Sequence, residues 1–204
     1  MTHRYLEKIM KNGLKPWKKI ESVSGPDLKL FQVRWDSLEN PRNKQVLNRL
    51  VLETEDWVNV VPITRGDQIV MVKQYRFGVS KITKEIPGGL IDQGEDSKSA
   101  AIRELAEETG YTGGKWIYLG SVEPNPAFHT NLCHHWLALG VEKTEEPILD
   151  PGEDIEVETV SFSDLRKLIA AGQVGHVLAL SALSRVPQIW HSFEEKDFFD
   201  RSQR

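Results

Sequence analysis

The chain has 204 residues, room for one domain with a sizeable appendage or for two small domains. Hydrophobic residues make up 39% and charged residues 27%, an ordinary globular composition, and no apolar run reaches the roughly 18 residues of a membrane span. The net charge of -4 argues against a protein built to hold nucleic acid, and a lone Cys133 rules out an internal disulfide or a multi-cysteine zinc site.

In chain order, the opening MTHRYLEKIMKNGLKPW has neither the apolar core nor the cleavage site of a secretory signal, so the expected compartment is the cytoplasm. Residues 1–60 hold 11 Lys and Arg against 8 Asp and Glu, and the remainder holds 15 against 22, so the acidic excess lies in the later part. After a short amphipathic stretch, LKLFQVRW and VLNRLVLE read as strands around the turn-rich SLENPRN, giving a small N-terminal β domain over residues 1–55. VNVVPIT and QIVMVKQY read as a hairpin across Arg65-Gly66-Asp67. A glycine-rich loop, EIPGGLIDQGE, leads into a helix with Asp96 as N-cap and Gly110 as stop. Two further strands follow, KWIYLGSV and NLCHHWLALGV, then an acidic loop from Glu142 to Asp154 and the strand IEVETVSF. Ser163 is a candidate cap for the helix DLRKLIAAG, and VGHVLALSALSRV reads as a last amphipathic helix.

On the helix, Glu104, Glu107 and Glu108 are related by i, i+3 and i+4 and share one sector, with Ile102, Leu105 and Ala106 expected against the sheet. A Glu-rich helix face is by itself commonly only solvated. The loop immediately before it changes the weighting, because Gly88, Gly89 and Gly94 permit sharp turns and close backbone approach next to clustered oxygen donors. Such a donor set suits Mg²⁺, which takes a few carboxylates together with substrate phosphate and water. His134 and His135 fall on opposite faces of a strand and cannot share one ion, so zinc is not expected.

The segment from Gly89 to Tyr111 resembles the Nudix box. Gly89, Glu95, Arg103, Glu104, Leu105, Glu107, Glu108 and Gly110 match its fixed positions, and only Tyr111 departs, standing where an aliphatic residue is usual. The resemblance implies an α+β fold, an α/β/α sandwich around a mixed β-sheet, with the Nudix domain over residues 56–204. It also implies Glu104, Glu107 and Glu108 as ligands of Mg²⁺, with Mn²⁺ as an alternative, and the Gly88 carbonyl as a further contact. Bound metal would polarise the phosphates and lower the pKa of the attacking water. Glu95 and Arg103 are expected to orient loop and helix through an ion pair, with direct phosphate binding by Arg103 the lesser alternative.

The flanks are similar to the branch of ADP-ribose pyrophosphatases and nucleoside diphosphate sugar hydrolases. VKQYRFG before the box, Pro126 sixteen residues after Gly110, and DPGEDIEVETVSFSDL carry that likeness, while Gly88 stands where the branch often has Ala. Asn125, Ala127 and Phe128 depart from the branch's usual loop and leave the preferred sugar open. The likeness implies a homodimer formed through the N-terminal domain and places Glu153 at the catalytic base, with Asp154 and Glu156 as competitors. Arg76, Glu85, Trp17 and Pro126 are the substrate-contact candidates, Arg76 for a phosphate and Trp17 for stacking on the base. The reaction implied is cleavage of a nucleoside diphosphate-linked small molecule into a nucleoside monophosphate and a sugar phosphate. Hydrolysis of nucleoside triphosphates or RNA 5′ ends, and a binding module without catalysis, are the rival readings.

Overall fold

The arrangement begins with two runs of pairing that never share a sheet. A computed structural model describes residues 13–190, and these divide into two compact units: the chain up to Thr54 together with Asn125–Thr130, and Glu55–Pro124 together with the chain from Asn131.

The first unit is an antiparallel meander of β1 (Lys18–Asp27), β2 (Gln32–Glu39) and β3 (Val46–Glu53), in that order across the sheet. The Asn40 side chain shapes the β2–β3 turn, its Oδ1 accepting from the Arg42 N–H at 2.9 Å. Strand β1 was not expected from the sequence. Its residues are mostly polar and exposed, and two register shifts, at Lys19/Glu21 and at Ser24/Asp27, blur the alternation that marks a strand. It is held nonetheless by the buried Asp36, which accepts from Ser22 across the β1–β2 pair and from Arg34 beside it. Asn125–Thr130 joins this unit through Leu52, whose N–H donates to the Phe128 carbonyl at 2.7 Å and whose carbonyl accepts from Thr130.

The second unit holds β4 (Trp57–Thr64), β5 (Gln68–Arg76), β6 (Lys81–Glu85), α1 (Ser97–Thr109), β7 (Tyr111–Val122), β8 (Cys133–Lys143), β9 (Ile155–Ser161), α2 (Phe162–Ala170), α3 (Val177–Ser184) and a 3₁₀ turn, Pro187–Ile189. The strands run β6-β5-β4-β8-β7, with β9 on β5. Because β4 and β8 are parallel and the other pairs antiparallel, the sheet is mixed. The expected hairpin is reduced to one pair, Ile63 with Ile69, since β9 takes one edge of β5 and β6 takes the other from Val72 onward.

Alternation along β4 and β5 assigns the two faces. Val58, Val60 and Val70 pack with Ala100, Ala101 and Leu105 of α1. Val61, Ile63, Ile69 and Met71 pack with Leu165 of α2 and Ala179, Ala182 and Leu183 of α3. The result is the α+β sandwich expected. Helix α1 starts at Asp96, which accepts from the Lys98 and Ser99 N–H groups, and stops at Gly110 with φ 71°, a left-handed cap that glycine adopts without steric cost. The cap of α2 is Ser161 rather than Ser163: Ser161 is extended and accepts from the Asp164 N–H, while Ser163 already lies in the first turn.

Candidate active site

The loop between β6 and α1 is laid along β4. Pro87 and Gly89 accept from the Val60 and Val58 N–H groups, each at 2.9 Å, while the Gly88 N–H donates to Glu108 Oε2 at 3.0 Å. A Cβ on Gly88 would collide with the Val58 carbonyl oxygen, and one on Gly89 with the Glu104 carboxylate. Glycine here lets the backbone lie against both the sheet and the helix carboxylates.

Arg103 organises the other side of this junction. Its Nε and Nη2 hold Glu95 at 3.1 and 2.9 Å, its Nη1 reaches Glu104 at 2.9 Å and Glu107 at 3.0 Å, and Nη2 also donates to the Leu90 carbonyl. One guanidinium therefore ties the loop to the helix and brackets two of the three helix carboxylates. Glu95 above all, with Glu104 and Glu107, pushes the Arg103 pKa further above its usual range.

The helix face differs from the expected one. Its buried residues are Ala100, Ala101, Leu105, Glu108 and Thr109, while Ile102 is 42% exposed. Glu108 thus points inward beside the glycine loop. Burial pushes its carboxyl well above the usual range, and Glu104 and Glu153 push the same way, against the Gly88 N–H. Burial likewise raises Glu104 to about 7, opposed by Arg103. Repulsion of Glu153 on both Glu104 and Glu108 places the late acidic loop within electrostatic reach of the helix. Glu153 caps its own turn, its Oε2 accepting from the Asp150 N–H at 3.0 Å. Its competitor Glu156 is instead tied to Lys73 at 2.8 Å on the sheet.

Arg76 and Glu85 form a bidentate pair, Nε to Oε1 at 2.8 Å and Nη2 to Oε2 at 2.7 Å. Glu85 is buried, and Thr83 Oγ1 donates to Oε1 at 2.6 Å. Burial alone would raise its pKa, but Arg76, His176 and Thr83 together hold it well below the usual carboxylate range. Glu85 above all raises the pKa of Arg76, and Glu108 and Glu153 add to it, so this guanidinium lies within electrostatic reach of the same acidic group. His176, which sequence reasoning passed over, stands with Nδ1 2.9 Å from Glu85 Oε2, off the line of an ideal hydrogen bond. A lone histidine in an apolar stretch carries no local signal; only the fold brings it to Glu85.

Glu104, Glu107, Glu108, Glu153, Arg76, Arg103, Glu85 and Glu95 all belong to the second unit, whereas Trp17 and Pro126 belong to the first. Trp17 has Arg49 over its ring at 5.9 Å to the centroid. His134 bonds Tyr118 and Asp56, while His135 bonds Ser181 on the opposite face, as strand alternation requires.

The donor set fits a hard dication. Glu104 and Glu108 are raised in pKa by burial and by neighbouring carboxylates, which a divalent charge would offset, and the Gly88 carbonyl lies between two that are spent on β4. Among the described residues no three His, Cys, Asp or Glu side chains are already gathered to hold one ion, and Glu104 and Glu107 are both bound to Arg103.

A model of the NUDIX domain matches residues 54–180. The chain belongs to the Nudix family. This Nudix chain is 33% identical over 147 residues to a protein of Bacillus subtilis (strain 168) named ADP-ribose pyrophosphatase, covering 72% of the present chain and 79% of that one. It is also 33% identical over 142 residues to the methanol dehydrogenase activator of Bacillus methanolicus, covering 69% and 76%. A crystal structure titled as an ADP compounds hydrolase shares the fold, with a TM-score of 0.77, 22% identity, and coverage of 87% of this chain and 95% of that one. No helix among the described residues is long and apolar enough to cross a membrane.

Proposed function

We propose that this Nudix protein is an enzyme that hydrolyses the pyrophosphate bond of ADP-ribose or a nucleoside diphosphate sugar with a divalent metal, Mg²⁺ or Mn²⁺. The products are a nucleoside monophosphate and a sugar phosphate. The observation that carries this reading is the packing of the glycine loop against Glu104 and Glu108, with Arg103 clamping Glu95 to the same helix. The names of relatives matching most of the chain supply the substrate class.

Glu104 and Glu108 would hold the metal, with Glu107 and the Gly88 carbonyl as further donors. A divalent cation there supplies neutralisation of the pyrophosphate charge and a lowered pKa for the attacking water. Glu153 accepts the proton of that water, its carboxylate facing Glu104 and Glu108 on a turn of its own. Arg76 binds a phosphate oxygen through Nη1, the edge of its guanidinium not spent on Glu85. Glu85, with its oxygens committed to protein donors, serves by holding Arg76 rather than by touching substrate. Glu95 and Arg103 keep loop and helix in register.

Trp17 is our candidate for stacking on the nucleobase, and Pro126 for a contact near the ribose. The first unit is also our candidate dimer surface. Val23, Trp35 and Leu50 stand in one cross-strand row, and all three are exposed in the single chain, an arrangement that a second copy of the chain would cover.

Separation of the products of an ADP-ribose digest tests the reading. AMP and ribose phosphate in equal amounts are expected from the wild type, and Glu153→Gln should lose turnover with KM largely kept. ADP-ribose and a panel of nucleoside diphosphate sugars all left intact after prolonged incubation with Mg²⁺ or Mn²⁺ would reject it.

A further inference from the structure

His176 occupies the N-cap of α3, where Ser, Thr, Asp or Asn would satisfy the first N–H groups of the helix, and its side chain makes no capping bond. Its ring Nδ1 stands 2.9 Å from Glu85 Oε2 instead. Both ends of that contact are seated on packed elements, although the His176 side chain itself is 30% exposed. Leu178, Ala179, Ala182 and Leu183 bury α3 beneath the sheet, and Glu85 closes β6 with its side chain 2% exposed. Glu85 Oε1 accepts from Arg76 Nε and Thr83 Oγ1, and Oε2 accepts from Arg76 Nη2, with His176 Nδ1 packed against Oε2 at 2.9 Å but off the ideal hydrogen-bond line. A carboxylate can only accept, so His176 supports Glu85 through a ring proton on Nδ1, a small adjustment of the ring away from a hydrogen-bond line.

This arrangement matters because Arg76 has competing partners. Glu108 and Glu153 both act on it electrostatically. An arginine on a loosely held carboxylate would swing toward them, filling with its own charge the space where a phosphate is to bind. We infer that His176 is a positioning residue for phosphate recognition: together with Thr83 it fixes Glu85, and through Glu85 it aims Arg76 at the pyrophosphate. The inference deepens the function proposed above and rests on that reading for the pyrophosphate-containing ligand. His176 itself need not touch substrate.

Steady-state kinetics with ADP-ribose and Mg²⁺ test it on the full chain, alongside calorimetric binding of inorganic pyrophosphate, which requires no turnover. His176→Ala should raise KM and weaken pyrophosphate binding about five- to tenfold with kcat within about twofold, as expected when ground-state binding is lost. His176→Asn, which returns an N–H donor near the Nδ1 position, should restore both to within about twofold of the wild type. In an Arg76→Ala background, His176→Ala should add less than about twofold, because two residues acting through one contact are not additive. Unchanged KM and pyrophosphate affinity in His176→Ala would overturn the inference, and so would penalties that multiply in the double variant. If His176→Ala fails to fold, His176→Gln, whose donor lies farther along the side chain, takes its place with the same expectations. A wild type that binds pyrophosphate but leaves ADP-ribose intact would count against the proposed substrate, and the binding arm would then decide the role of His176. Binding of neither would overturn both.

Discussion

At Glu108, the metal ligand proposed above, binding would pull against stability. Its carboxyl is buried, close to Glu104 and Glu153, and satisfied by one backbone N–H, so keeping it ionised costs the fold free energy. Glu108→Gln keeps an acceptor for the Gly88 N–H and removes the charge. The expected outcome is a melting temperature equal to or above the wild type, with kcat/KM down by at least about 100-fold, beyond the 10–100-fold that loss of a supporting partner typically costs. Differential scanning fluorimetry and kinetics on the same preparation check both halves. On the other side of the sheet, His135 is fully buried against Ser181, and burial, with help from Arg185, lowers its pKa to about 4. As pH falls below about 6.5 the unfolded chain takes up this proton while the folded one resists. Stability is therefore fully present above pH 6.5 and is lost on the way down to about 4, by up to about 3 kcal/mol. Urea denaturation at pH 7.5 and pH 5 should show about 2 kcal/mol of that loss in the wild type and a much smaller one in His135→Gln.

The decisive element is the loop-and-helix junction from Glu85 to Gly110. Its backbone lies along β4 at Pro87 and Gly89, and the space at Gly88 is closed by the Val58 carbonyl rather than by a movable side chain. Gly88→Ala should therefore displace the loop, costing about 1–3 kcal/mol as overpacking does and disabling the site with it; wild-type stability and activity in this variant would contradict the packing described. Much of this element was legible, since Asp96, Gly110 and the spacing of Glu104, Glu107 and Glu108 are local signals of a capped helix with a carboxylate sector. The direction of Glu108 was not, because a helical wheel places it with Glu104 and Glu107, and only packing beside Gly88 turns it inward. Strands β1 and β6 escaped notice for a related reason. The first is polar and irregular in register, and the second, Lys81–Glu85, is five residues long with two lysines, so their pairing partners rather than their composition make them strands. The Arg76–Glu85–His176 contact joins three elements, and no sequence interval encodes it.

At the scale of the whole molecule, two units with separate sheets share one chain, and the carboxylates and arginines of the candidate site come from the second. The first unit contributes the exposed row Val23, Trp35 and Leu50 and the candidate base contact Trp17. Light scattering coupled to size exclusion should give a dimer mass, near twice the 23.2 kDa of one chain, and Trp35→Lys should shift it toward the monomer. A monomer in the wild type at micromolar concentration would remove the dimer from the account. In the proposed function, the carboxylates around Gly88 serve a metal-dependent cleavage of a pyrophosphate bond. Coupled phosphate release from ADP-ribose and a panel of nucleoside diphosphate sugars, with and without Mg²⁺ and beside Glu108→Gln, tests it most directly. Rapid release with metal, a background rate after chelation, and the same background in Glu108→Gln are expected. Equal rates with and without metal, or a fully active Glu108→Gln, would contradict it.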